Sequence, residues 1–152
     1  MLIRTIIFSL LLTISFSGFA QYNADKIQLT LAVQEKTFDI LNWSKEGSPP
    51  SWKAKSKIKR QYLTISKSKA DLILPFLNPR EKQRGIVLCE LFISIAINAE
   101  NEIQISTIKE LIRKSTTRHI IRTANMNEMQ FTIAPTIKKN VVSLHCSVSS
   151  KD

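Results

Sequence analysis

A chain of 152 residues with 22 Lys and Arg against 12 Asp and Glu carries a formal charge of +10. That length provides one sizeable core rather than two, and its three glycines are too few for a glycine-rich phosphate cradle. The positive excess draws acidic partners over a distance but says nothing about fold.

Residues 1–20 read as a secretory signal peptide. Arg4 makes a positive start, Ile6–Ile14 an apolar run, and Gly18-Phe19-Ala20 a small-x-small cleavage site before Gln21. The alternative is an uncleaved anchor helix, against which stand the short apolar part and its small-residue end. No cysteine stands at the cleavage point, which argues against a lipid-anchored lipoprotein. Residues 21–152 are then expected to form a single globular domain, exported to the periplasm or secreted.

Asp25–Trp43 opens that domain. Ile27, Leu31, Phe38 and Leu41 share one side of a helix, whereas Ile27, Leu29, Leu31 and Val33 alternate as in a strand. Length and the absence of Gly and Pro favour the helix. Asn42-Trp43-Ser44 is a glycosylation sequon. Asn42–Ser56 contains Gly47, Ser48, Pro49 and Pro50 and reads as the longest loop, with Trp43 and Trp52 folded back on the core. Lys53–Lys69 holds seven cations, with no acid between Glu46 and Asp71. Ile58, Tyr62, Ile65 and Leu72 recur at helical spacing, predicting a helix from about Lys55 to Leu74 that Pro75 ends. In that helix Lys53/Lys57 and Lys55/Lys59 would be like-charge neighbours, each pair costing roughly 0.2–0.5 kcal/mol.

Asn78–Ala99 is the strongest helical signal. Asn78 suits the N-cap, Pro79 the first turn, and Glu81 the third position. From Ile86 to Ile97 nearly every residue is apolar, which predicts a central helix covered on most sides. A buried strand competes, because Val87, Cys89, Leu91, Ile93, Ile95 and Ile97 also alternate. The run contains Glu90 and falls well short of the roughly 20 apolar residues that cross a bilayer. Glu100–Ser106 fails as a calcium loop, having Ile103 and Lys109 where Gly and Glu are demanded. Thr107–Ala124 predicts a second helix, capped by Thr107 with Glu110 and carrying a cationic stripe of Lys114, Arg118 and Arg122. The period then becomes two. Met129, Phe131 and Ile133, then Val142, Leu144, Cys146 and Val148, alternate with polar residues across a turn at Pro135–Asn140, predicting an antiparallel hairpin. A third strand is expected from Ile27–Val33 or Glu102–Ile105, since an isolated hairpin is marginal.

The expected fold is α+β: three to four helices around a central buried helix (about 79–98), packed on a small antiparallel sheet that ends in the C-terminal hairpin. Cys89 and Cys146 allow one pairing, worth about 4 kcal/mol in the chain-entropy account. The bland reading is two small buried side chains that never meet. Neither cysteine nor histidine spacing suggests a metal site, and no cofactor signature is present.

For chemistry, His119 and His145 are the only histidines. As a pair beside lysines they could cleave RNA, but His119 belongs to a helix face and His145 to the polar side of a strand. Binding is the better-supported class. Lys55, Lys57, Lys59 and Arg60 could merge in space with Lys114, Arg118 and Arg122 into one basic face. An acidic protein or an anionic envelope component would occupy it, as in a periplasmic inhibitor or immunity-type protein. Export argues against intracellular nucleic acid. The second hypothesis is a small secreted hydrolase, acting on RNA or cell wall through His119 or His145. An intact-mass measurement of the exported protein checks two of these expectations together: cleavage after Ala20, and the loss of two hydrogens if the cysteines are joined.

Overall fold

The computed structural model describes Ile27 and residues 38–46, 51–56, 61–66, 68–138 and 141–150. Strands β1 (Phe38–Glu46), β2 (Ser51–Ser56), β3 (Tyr62–Ile65) and β4 (Lys69–Phe76) come first. Helices α1 (Pro79–Ala96) and α2 (Glu102–Arg118) follow, then β5 (Arg122–Met126), β6 (Met129–Lys138) and β7 (Val141–Ser150). The strands form one seven-stranded sheet in the order β1-β2-β3-β4-β7-β6-β5, with every neighbouring pair antiparallel. Two meanders, β1–β4 and β5–β7, therefore meet at the β4–β7 ladder. The helix pair crosses a single face between them, α1 lying on β4 and β7 and α2 on β5 and β6.

Alternation explains why one face is covered. Leu63 and Ile65, then Ala70, Leu72, Leu74 and Phe76, then Phe131 and Ile133, and finally Leu144, Cys146 and Val148 are all buried, and each set spans one side of its strand. From the helices, Leu88, Cys89, Phe92, Ile93, Ile108 and Ile112 complete this core. Cys89 of α1 and Cys146 of β7, 57 positions apart, are joined by a disulfide with Cα atoms 5.9 Å apart, both side chains fully buried. Among the described residues no helix is long and apolar enough to cross a membrane.

This architecture corrects the expected one. The molecule is organised by a sheet with two described helices on one side, in place of three to four helices around a central rod. The predicted helix from Lys55 to Leu74 is instead the end of β2, then β3 and β4. Its helical spacing used Ile58, Tyr62, Ile65 and Leu72, but the alternating series Leu63/Ile65 and Ala70/Leu72/Leu74/Phe76 buries more apolar surface. Pro75 ends no helix. It stands in β4 beyond the last β3 pair, Tyr62↔Ile73, where among the described residues the strand has a neighbour on one side only. Pro135 is the matching case: it lies inside β6, past the last β5 pair, Arg122↔Ile133, and not in the turn expected there. Phe38–Trp43 belongs to a strand instead of a helix, and β1 and β2 take most of the expected Asn42–Ser56 loop. The reading of 28–37 lies outside the described residues.

Helix α1 is not wrapped on most sides, for Val87 is 49% exposed and the buried side faces the sheet and α2. Asn78 caps it, accepting from the Glu81 amide at 2.9 Å, and Glu81 in turn accepts from the Leu77 amide at 2.7 Å. Helix α2 begins five residues before the expected Thr107. Asn101 is its cap, accepting from the Gln104 amide at 3.0 Å, while the Thr107 hydroxyl donates to the Ile103 carbonyl. Ile103 and Ile105 are therefore helical and supply no third strand. The helix stops at His119, which takes a left-handed conformation (φ 53°), short of the expected Ala124. Asn127 and Glu128, at φ 50° and 61°, make a two-residue turn between β5 and β6. The Asn127 amide holds that turn to the helix junction, donating to the Ile97 carbonyl at 2.9 Å and accepting from Gln104 at 2.9 Å.

Gly85 marks the closest approach of α1 to β4, since a Cβ there would run into the ring of Phe76. Helix propensity alone makes Gly85→Ala stabilising by about 1 kcal/mol. Collision with a packed ring costs about 1–3 kcal/mol and dominates, so the urea midpoint falls. In a Phe76→Leu background the same change raises it. A raised midpoint with Phe76 in place would show that the ring yields.

Candidate binding face

The sheet face away from the helices is polar, and the register fixes which of its side chains stand together. Residues paired across neighbouring strands share a face at about 4.8 Å strand spacing. One row across the sheet is Lys53, Thr64, Asp71, Ser147, Thr132 and Thr123. The adjacent row is Tyr62, Ile73, His145 and Ala134. On the other flank lie Lys69, Ser149, Gln130 and Asn125. Ile73 is 37% exposed although it sits on a central strand, so nothing described covers this side.

Asp71 organises the middle of the face. Its Oδ1 accepts from His145 Nε2 at 2.8 Å and from Lys69 Nζ at 3.0 Å. A carboxylate only accepts, so the imidazole carries its proton on Nε2 in this contact and leaves Nδ1 unengaged among the described residues. Burial alone pushes the Asp71 carboxyl up. The hydrogen bonds from His145 and Lys69 outweigh it and hold the group below its ordinary 3.8. Next to it, the Lys53 ammonium lies 5.7 Å from the centre of the Tyr62 ring, within cation–π range. Thr123 and Thr132 share a hydroxyl–hydroxyl hydrogen bond of 3.0 Å. Asp71 is the single acid in the three rows. On the edge strand β1, Glu46 is in register with Ser51 of β2.

Of the basic residues singled out from sequence, the described ones stand on separate elements. Lys55 is on β2, one strand from an edge, and Lys57, Lys59 and Arg60 lie outside the described residues. Lys114 and Arg118 belong to α2 on the covered face, and Arg122 opens the opposite edge strand β5. Strands β2 and β5 are five spacings apart, roughly 24 Å. The helix cations are also partly neutralised. Arg113 and Lys114 reach Glu110 at 2.8 and 3.2 Å, and Lys109 reaches Glu90 at 3.3 Å across the helix pair. The hydrogen bonds from Arg113, and then Lys114, hold the Glu110 carboxyl at about 2. Arg118 is exposed with no partner among the described residues, and the Arg122 Nε is buried without one.

The two histidines are not brought together either. His119 caps α2 on the covered side, whereas His145 stands on the open face, so a paired-histidine mechanism has no geometry here. The position of His145 was legible from the alternation of its strand. The importance of Asp71 was not, because its partner is 74 positions away. Comparison of the chain with protein-family models, with curated proteins and with solved structures finds no match.

The depressed Asp71 carboxyl has a definite signature in pH. A group whose folded value lies below its unfolded one stabilises above the unfolded value, and that stabilisation disappears as pH falls through the folded value. His145→Asn therefore lowers the urea midpoint at pH about 6 and has little effect near pH 2, while the Asp71 titration followed by carboxyl NMR moves upward. Equal losses at both pH values would assign the effect to packing and not to this contact.

Proposed function

We propose that the chain is an exported, non-enzymatic binding protein whose anionic partner seats on the uncovered sheet face. The carrying observation is the charge arrangement there. Lys53 and Lys69 share the described part of that face with His145 and with one acid, Asp71, which Lys69 and His145 engage. On α2, Glu110 and Glu90 hold three of the cations. A face on which cations outnumber acids steers acidic ligands and fixes their register. The export half of the proposal rests on the leader-like residues 1–20, and a buried disulfide is compatible with an oxidising compartment. An acidic protein, as for an inhibitor or immunity-type role, and an anionic envelope component both fit that description.

The 2.8 Å contact between Asp71 and His145 favours a second reading, a hydrolase using His145 as general base.

One experiment separates these readings. The mature chain is challenged with envelope extract at rising salt, beside Lys53→Glu/Lys55→Glu and Lys114→Glu/Arg118→Glu. The sheet-face pair is expected to weaken retention about tenfold and the helix pair to leave it nearly unchanged. The opposite order would place binding on α2. Hydrolysis of RNA or peptidoglycan that disappears in His145→Ala would establish the second reading.

A further inference from the structure

The two ends of the sheet differ in kind. At one end β4 and β6 finish while β7 and β5 begin, and Phe76, Val142 and Ile137 stand there in one row. Leu77, Ile121 and Ile137 are each about two-thirds exposed at this end (66%, 67% and 65%), and Ile120 is exposed beside them. Helix α1 follows directly on β4 and α2 leads directly into β5, so the first turn of the one and the last turn of the other lie at the same end. They bring Arg80 and Lys82 from α1 and Arg118 from α2. Glu81 is the one acid in these stretches, and its Oε2 is turned back onto the Leu77 amide at 2.7 Å.

The opposite end reverses both properties. Glu100 and Glu102 at the junction of the helices and Glu128 in the β5–β6 turn are exposed there, among Asn98, Asn101 and Asn127. Lys69 is there too, bound to Asp71, and Ile103 is that end's one large exposed apolar side chain among the described residues. The strand axis is therefore also an axis of charge. Exposed aliphatic groups gathered in one region mark a surface that protein or lipid covers. Strand β7 stands between β4 and β6, so Leu77 and Ile137 are about 10 Å apart, and Ile121 leads into a further strand. They are separate points and not a groove, and none is aromatic, whereas protein contacts concentrate on aromatic and Arg anchors seated in pockets. A fluid bilayer boundary takes up each aliphatic group without a matching shape, while Arg and Lys stay at headgroup level. A second copy meeting this end face to face would set the same cations against each other.

We propose that this end of the sheet seats on the surface of an anionic phospholipid bilayer. Leu77, Ile121 and Ile137 enter the acyl boundary, and Arg80, Lys82 and Arg118 face the lipid phosphates. The attachment is peripheral, since only side chains at the ends of strands and helices enter the lipid. The acidic end is repelled from the same surface, which orients the molecule with its strands upright. The open sheet face then stays clear of the lipid, and its own ligand binds independently.

Flotation of the mature chain with phosphatidylcholine vesicles, with and without phosphatidylglycerol, tests this. The variants are Leu77→Asn/Ile137→Asn, Arg80→Gln/Lys82→Gln and, at the opposite end, Ile103→Asn. Each is first shown to keep the wild-type urea midpoint within error, and Ile121→Asn stands in for the aliphatic pair if that pair does not. The chain is expected to float with the phosphatidylglycerol vesicles and to be released by salt. The aliphatic pair weakens binding about tenfold or more, as the lost burial of two such side chains implies. The cation pair weakens it at least about tenfold, at about fivefold for each charge near the surface. Ile103→Asn leaves it unchanged. Equal binding to both vesicles, or a loss with Ile103→Asn as large as with the aliphatic pair, overturns the proposal. So does absence of flotation, and a dimer in sedimentation velocity that the aliphatic pair dissolves would then place a second copy on this end. The vesicles carry no protein or polysaccharide, so failure here leaves the reading of the open face standing.

Discussion

The ladder between β4 and β7 is the contact on which the rest of the molecule depends. It joins two meanders that are otherwise separate, running from Lys69↔Ser149 to Phe76↔Val142 between residues 66 to 80 positions apart in sequence. Closing so long a loop is costly in entropy, and burial on the covered face offsets the cost: Leu72 opposite Cys146, Leu74 opposite Leu144, Ala70 opposite Val148. The Cys89–Cys146 bridge acts at the same place, fastening α1 to the strand that the ladder brings in. It removes conformations from the unfolded chain and fixes which face of β7 the helix covers.

From that junction follows the unequal treatment of the two faces. The helix pair is long enough to cover one side of the sheet, and the apolar halves of the strands supply a core to receive it. The other side is left with the polar halves of the same strands. Strand alternation therefore makes the open face as a direct consequence of making the core. What distinguishes this face from an ordinary solvated one is the coupling of Asp71 to His145 and Lys69, which restrains one carboxylate oxygen and leaves the other unengaged.

Charge patterning misleads in this chain. The density of Lys and Arg between 53 and 69 and along α2 suggested one continuous basic surface. In the fold, the described members of that surface stand on β2, α2 and β5, and Glu110 and Glu90 draw three of the helix cations into pairs. Linear charge density records how many cations a segment has, not which acids will stand three or four residues away in space. Segment length misleads similarly. Leu63 and Ile65 make a strand of only four residues, too short for its alternation to outweigh a helical spacing read over twenty.

Read alone, the amino-acid sequence determined the local features whose causes lie within a few residues. These are the Asn78 cap and the start of α1 at Pro79, the alternation that turns Cys146 inward and His145 outward, and the single pairing open to two cysteines. It did not determine that β4 would lie beside β7, that Asp71 would meet His145, or that α1 would lie on a sheet instead of being wrapped by helices. Those outcomes depend on pairings between segments far apart in the chain. Hydrogen bonding between strands is the same for any register, and only the total apolar surface buried in three dimensions selects one partner over another.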